Sequence, residues 1–280
     1  MATISENETT THPLAAQRPG LGQRMMRDRH RAYPAIAVVL IIAVWHVFVV
    51  ITEVKPIFLP SPGAVLGSLR ELVQGDLAHN ALITIGRIYG GFALAAVFGI
   101  AIGLLMQISR GVRALSDAFI AAFYPLPKIA LIPLLVIWLG AGEAYNLTIS
   151  AVSAFFPIVV NTYLGVRLVD KGLIKTARDL GCSPAEVQRK VVLPGALPSI
   201  LAGLHLGLGT SVVLVIAAEM VAGSNGLGHM LVYAGQLLQT ERVFALLVVM
   251  TILGWAVTRL QQRLDRVIAP WAVSSDRQPS

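Results

Sequence analysis

Apolar positions in this chain fall in long unbroken runs, with few charges inside them. Six runs, at about 34–52, 86–108, 116–139, 145–166, 196–220 and 243–260, are each long enough to cross a hydrocarbon core about 30 Å thick as a helix of about 20 residues. The third is interrupted by Pro125, Pro127, Pro133 and Lys128. Backbone broken at membrane depth must be sheltered by protein or face a water-filled cavity. An even number of spans puts both termini on one side.

Two shorter segments have a different pattern. In "LPSPGAVLGSLRELVQ", Ser61 reads as an N-cap and Pro62 as the first helical residue. Val65, Leu66, Leu69, Leu72 and Val73 then recur at helical spacing. The segment is either an amphipathic helix on the outer membrane face or a packed connector. The second segment, "KTARDLGCSPAEVQRKVVLPGALP" from Lys175 to Pro198, reads as two short helices joined at an elbow. Asp170 caps the first, whose apolar side is Leu173, Ile174, Ala177 and Leu180; Lys171, Lys175 and Arg178 share another face. Gly181 ends it in the left-handed conformation that glycine tolerates. Ser183, Pro184 and Glu186 start the second with a capping box, Val187 and Val191 form its ridge, and Pro194 is expected to stop it.

Composition supports the lipid reading: of 280 residues 55% are hydrophobic and 13% charged, with a mean hydropathy of +0.71. Soluble domains carry roughly 25% charged residues. The net charge of +7 is distributed by side. Arg18, Arg24, Arg27, Arg29 and Arg31 precede the first run, Arg110 and Arg113 follow the second, Arg167 to Lys190 follow the fourth, and Arg259, Arg263, Arg266 and Arg277 close the chain. The positive-inside bias puts both termini in the cytoplasm, so the charge calls for no nucleic-acid partner. The first run is too long for a signal-peptide core and lacks a small-residue cleavage site. Residues 1–33 read as a mobile cytoplasmic tail, 34–264 as the membrane domain with a cytoplasmic loop at 168–194, and 265–280 as a second tail. A lone cysteine, Cys182, excludes an intramolecular disulfide.

Polar residues inside the runs are candidates for function. Asn146, Ser150, Ser153, Pro157 and Asn161 fall on one helical face. They either glue helices together or line a wet pathway. Thr210, Ser211 and Glu219 in the fifth run are candidates for the same pathway, although Glu219, near the outer end, is also open to simple solvation. Arg87 reads as an anchor snorkelling to the headgroups. Gly99 with Gly103 and Gly203 with Gly207 are small-residue seams. His46 and His205 read as packing residues. No catalytic or metal-ligating pattern stands out.

Here the chain resembles a known family. "TARDLG" followed by "VVLPGALP" is similar to the cytoplasmic EAA loop of ATP-binding-cassette (ABC) importer permeases. Ala177, Gly181, Leu193 and Pro194 match its pattern, while Lys175 and Thr176 replace its first two residues. "LPSPGAVL", "TIGRIYGGFALAAVFGIAIGLLM", "PLPKIALIPLLVIWLGAGE", "FFPIVVNTYLGV", "AAEMVAG" and "GLGHML" resemble, in order, the nitrate/sulfonate/taurine-type branch.

The resemblance implies an all-α integral membrane protein of about six spans with the type I ABC importer permease fold and a cytoplasmic coupling helix. It implies a homodimer in the inner membrane of a bacterium, two cytoplasmic ABC ATPase subunits and an extracytoplasmic binding protein. The path would carry a small solute, with an anion such as nitrate, sulfonate or taurine expected. ATP and magnesium would be used by the partner, and none bound by this chain. The sequence has no G-x-x-x-x-G-K-[ST] phosphate loop. The coupling contact would fall on Lys171, Lys175, Ala177, Arg178, Gly181, Ser183, Pro184 and Glu186. The path would fall on Asn146, Ser150, Ser153, Asn161, Thr210, Ser211 and Glu219, with no strong substrate site. A secondary transporter or channel is the alternative, but no acid lies central to a span and no repeated halves are visible. An intramembrane enzyme is disfavoured by the absence of H-E-x-x-H and G-x-S-x-G.

Overall fold

The computed structural model describes the backbone of residues 21–271, all helix, turn and coil. It separates into two units, residues 1–54 and 55–280. The first contributes helix α1 (Leu21–Thr52), with an apolar stretch at Ile36–Thr52. Thr52 Oγ1 donates to Phe48 O at 2.6 Å in the last turn, and Glu53 follows at φ +48°. The helix therefore begins well inside the segment read as a tail; residues 1–20 and 272–280 lie outside the described residues.

The second unit starts with α2 (Pro62–Gln74), where the Ser61 side chain accepts from Ala64 N as its pattern predicts. Val65 and Leu72 are buried while Leu66 and Val73 stay exposed, and the helix packs against the last helix of the chain. There follow α3 (Leu77–Ile108), α4 (Arg110–Phe123), a 3-10 turn (Lys128–Ala130) and α5 (Leu131–Leu139). Next come α6 (Glu143–Leu168), α7 (Lys171–Asp179), α8 (Pro184–Val187), α9 (Leu193–Ala222), α10 (Leu227–Gln236) and α11 (Thr240–Ile268).

The third run is not one helix. α4 and the 3-10/α5 segment meet at 81°, because Pro125 and Pro127 fall in the break and neither can donate a helical hydrogen bond. Among the described residues four helices are long and apolar enough to cross a membrane alone, and the bent pair makes five. Proline acts differently at Pro194, which was expected to end the elbow's second helix. There the chain widens into a π-helical turn (Gln188–Val192), with Leu193 N–H bonding to Gln188 O, and continues into α9. The result is one helical body from Pro184 to Ala222, 39 residues, about 58 Å at 1.5 Å per residue. That is nearly twice a hydrocarbon core of about 30 Å, so this body projects out of the membrane.

α6 is the central post. It packs along α3 on one side and α9 on the other, and 67% of its most apolar window is buried against 22% for α11. Small residues set the approach: a Cβ on Gly103 would lie 2.6 Å from Thr162 Cβ, and one on Gly203 would lie 2.7 Å from Asn161 Cβ. Pro157 interrupts the α6 ladder, because it has no N–H for the Ser153 carbonyl four residues back. Thr210 Oγ1 of α9 lies 3.1 Å from that carbonyl and 2.9 Å from Gly207 O, and shares its one proton between them. A break in one helix thus becomes a tie to the next.

Candidate functional site

Two polar assemblies stand at opposite ends of the Pro184–Ala222 body. The first is the elbow. Asp170 Oδ1 accepts from Gly172 N at 2.7 Å and starts α7. Gly181 has φ +85°, and Cys182 N–H closes back on Ala177 O at 3.0 Å. Ser183 Oγ accepts from Glu186 N at 3.3 Å while Glu186 Oε2 accepts from Ser183 N at 3.0 Å, the reciprocal box the sequence predicts. Lys190 Nζ joins Glu186 Oε1 at 2.8 Å. Beneath lies an apolar cluster of Val166, Val169, Val187, Val192, Ala196 and Ile200, against which Ile174, Ala177 and Val191 pack.

Ala177 is therefore turned towards the elbow's own core, whereas the sequence pattern offered it to a partner. The apolar side read for α7 splits in the same way: Ile174 and Ala177 face inward, but Leu173 and Leu180 are 60% and 79% exposed. Lys171, Lys175, Arg178 and Gly181 are exposed beside them, as are Ser183 and Pro184, with Glu186 half-buried. The outward surface is thus two leucines among three cations.

The second assembly is an ion cluster that the sequence did not reveal. Arg87, expected to snorkel outward, is 3% exposed and reaches into the bundle. Its Nη1 donates to Glu219 Oε1 at 2.8 Å and to Asn225 O at 3.1 Å, and its Nε donates to Glu143 Oε2 at 2.9 Å. Nη2 also contacts Glu143 and the Asn225 side chain. Glu219 is not solvated but 1% exposed. It accepts from Thr84 Oγ1 at 2.9 Å and from Gly228 N at 2.9 Å. Thr84 Oγ1 accepts from Leu227 N at 3.0 Å, and Asn80 Oδ1 from Gly226 N at 2.7 Å. The unpaired N–H groups at the start of α10 are thus met by α3 and α9 side chains. Gly226, at φ +96°, presses so close that any Cβ would land on the Glu219 carboxylate. The cluster ties α3, α6, α9 and the α9–α10 turn together. A buried guanidinium is retained only with such fully paired geometry.

The polar stripe lies between these ends. Asn146, Ser150, Ser153 and Ser211 are buried, and Asn161 and Thr210 half-buried. Ser150 Oγ donates to Ile88 O at 3.0 Å and Ser211 Oγ to Ser150 O at 3.0 Å. Of the two readings left open for the stripe, these bonds are of the interhelical kind. His205 is paired, its Nδ1 3.0 Å from Asp265 Oδ2, as a packing histidine would be. Among the described residues no group of three or more His, Cys, Asp or Glu is placed to hold a metal ion.

Comparison with known proteins fits these features. Residues 95–270 match the family described as "Binding-protein-dependent transport system inner membrane component". The taurine transport system permease protein TauC of Escherichia coli K12 is 34% identical over 83% of this chain and 86% of its own. The chain belongs to this family. The putative aliphatic sulfonates transport permease protein SsuC of Bacillus subtilis is 34% identical over 83% of this chain and 84% of its own. A putative ABC transporter permease of Methanocaldococcus jannaschii is 37% identical over 81% and 85%.

Solved structures share the fold. An inward-facing MetNI methionine ABC transporter chain superposes with a TM-score of 0.57 at 22% identity, covering 69% of this chain and 95% of that one. A chain of an amino acid ABC transporter superposes at 0.51 and 19% identity, covering 69% and 92%. The protein is a multi-pass permease subunit of an ABC importer. It is not a catalytic enzyme, and the secondary-transporter alternative falls away.

Proposed function

We propose that this permease carries a small organic anion of the sulfonate or taurine type, as two copies side by side in the inner membrane of a bacterium, with the path between them. The substrates in the relatives' names support the solute class. Each copy docks an ABC ATPase through its elbow and receives solute from an extracytoplasmic binding protein. ATP and magnesium act on the ATPase. Both termini face the cytoplasm, on the side where basic residues concentrate.

The observation that carries the coupling role is the elbow's construction. It is capped at both helix starts, closed at Gly181 and filled by its own apolar cluster, so it moves as a unit, and it is continuous with a body longer than the membrane is thick. Leu173 and Leu180 supply the apolar centre of a docking surface, and Lys171, Lys175 and Arg178 its charged rim. Of the stripe, Asn161 and Thr210 border the path, while the buried members hold α6 in place.

The test is Leu180→Asp with Leu173→Asp, read by ATPase co-purification and by uptake of taurine, alkanesulfonates and nitrate. Loss of both ATPase and uptake, with unchanged thermal stability, is expected. Full retention of the ATPase would remove the elbow from the coupling contact, and uptake of nitrate alone would remove the organic-anion reading.

A further inference from the structure

α11 is the least buried of the four described helices that can cross a membrane alone, and its last turns, "RLQQRLDR", sort charge by face. Gln261 and Asp265 are buried. Asp265 Oδ2 stands 3.0 Å from His205 Nδ1 of α9, and its Oδ1 accepts from Gln261 Nε2 at 2.9 Å. The one acid of these turns is thus held on the side of the bundle. Arg259, Arg263 and Arg266 are exposed, and their i, i+4, i+7 spacing puts them on one stripe. Among the described residues none of the three forms an ion pair. Arg266 Nε donates to Gln262 O at 3.2 Å, and the Arg259 guanidinium lies 5.5 Å from the Trp255 ring centre. The stripe continues along the helix as Trp255, Ile252 and Val248, which are 61%, 56% and 41% exposed. Along one face there are therefore two apolar turns, an indole and then three guanidinium groups. A phospholipid presents the complementary order of acyl chain, interface and charged headgroup.

We propose that this stripe binds an anionic phospholipid, its phosphate held by Arg259, Arg263 and Arg266 and its acyl chain laid along Val248 and Ile252. The proposal goes beyond the transport reading and needs only that α11 spans a bilayer. The three arginines cover about 10 Å of helix axis, close to the headgroup layer of about 5–8 Å on each side of the hydrocarbon core. Tryptophan concentrates at that boundary. Guanidinium groups fork onto phosphate oxygens, and those of this stripe have no carboxylate to compete. A basic residue near an anionic surface strengthens binding about fivefold. A zwitterionic headgroup brings its own ammonium, which three cations repel. The stripe therefore selects by headgroup charge, taking phosphatidylglycerol over phosphatidylcholine. Behind it, the His205–Asp265 pair joins α11 to the helical body that carries the elbow, so a lipid seated here steadies the turns that meet α9.

The experiment uses the complete transporter, with its ATPase, in phosphatidylcholine vesicles that carry a trace of a diazirine-bearing lipid. The probe has either a phosphatidylglycerol or a phosphatidylcholine headgroup, and labelled residues are mapped by mass spectrometry. The phosphatidylglycerol probe is expected to mark residues 248–263 about tenfold more than its zwitterionic counterpart. Arg259→Gln with Arg263→Gln and Arg266→Gln should bring that ratio to about one. Lysine at the same three positions should keep part of the selectivity, because it holds phosphate as a point charge without the fork. If the triple glutamine variant fails to assemble, Arg263→Gln alone should lower the ratio about fivefold.

Equal labelling by the two probes overturns the proposal, because the face then meets bulk lipid without regard to headgroup. Selectivity that survives the glutamine substitutions overturns it too, by moving the headgroup contact elsewhere. The remaining occupants are tested with a thiol cross-linker at Arg263→Cys in a Cys182→Ala background. Cross-linking to a second copy, to α1 or to the ATPase assigns the face to protein and removes the lipid. Absence of such products, together with headgroup-selective labelling, supports the lipid site.

Discussion

At Pro184 the long helical body of this permease begins in an exposed cap, beside a glycine in the left-handed region and two uncovered leucines. At Ala222 it ends next to a carboxylate that is 1% exposed and held by an arginine, a threonine and a backbone amide. The elbow's polar bonds are short-range in sequence and open to solvent, so each contributes little, and removing one leaves water as a substitute. Most of the far cluster's bonds join residues more than a hundred positions apart, and nothing replaces them. One end has the exposure that the proposed docking of a soluble partner requires. The other holds three helices and a turn in fixed relation.

Arg87→Ala should separate the two ends most sharply. It strands Glu219 as a buried, unpaired carboxylate, a loss of about 3–5 kcal/mol, and should lower membrane expression and the melting temperature in detergent. Arg87→Met with Glu219→Gln removes both charges and should recover part of that stability. ATPase binding per folded molecule should be unchanged. An Arg87→Ala protein with parental melting behaviour would mean that the cluster is not holding the bundle together.

Thr210→Val comes next, at about 1–3 kcal/mol, because it leaves the Ser153 carbonyl buried without a donor. Its effect belongs to the seam, so melting should fall while ATPase co-purification persists. Cysteine labelling sharpens the same point: Ser153→Cys should stay inert to polar thiol reagents and Asn161→Cys should react. Equal reactivity would return the whole stripe to the wet pathway.

These cases also show where the sequence was legible. Caps at Ser61, Asp170 and Ser183 and the turn at Gly181 are decided by neighbours within a few residues, and each forms as its pattern says. The family and the membrane class follow from ordered motifs and apolar length. Arg87 and Glu219 were misjudged because each, taken alone near a helix end, has a bland explanation. Only the packing of α3 against α9 makes them a pair, and no spacing rule reaches across 132 positions. Asn225 and Gly226, inside "GSNGLG", were the available hint of a demanding turn there. Pro194 was misread because the penalty for an internal proline can be relieved by a π-turn as well as by a break. The orientation of α7 was missed because a nine-residue helix with apolar residues on two faces does not say which face its own loop will cover.

Gly181→Asp moves the comparison to the elbow. A side chain there meets no atom within 4 Å, so its stability cost is the left-handed backbone alone, about 1–2 kcal/mol. The expected signature is a modest melting shift with a disproportionate loss of transport and of bound ATPase, since a charge now sits beside Leu180. Ala177→Glu should disturb the elbow more than its exposure in sequence suggests, because it pushes a carboxylate towards the Val187 and Val192 cluster.

Lys175→Ala should have the smallest effect, and its value lies in what kind of effect it is. The residue is exposed on α7 and makes no hydrogen bond or ion pair within the described residues, so melting should not move. If the elbow's cations steer the ATPase, the substitution slows association, and the deficit shrinks as salt screens the charge over a Debye length of about 8 Å at physiological ionic strength. Dissociation should be nearly unaltered, because the leucines at the centre of the surface remain. Association kinetics of the detergent-purified permease with its ATPase, at low and at physiological salt, read this directly. A change confined to dissociation would make Lys175 a contact in the bound state instead, and would move the centre of the docking surface from the leucines towards the basic face of α7.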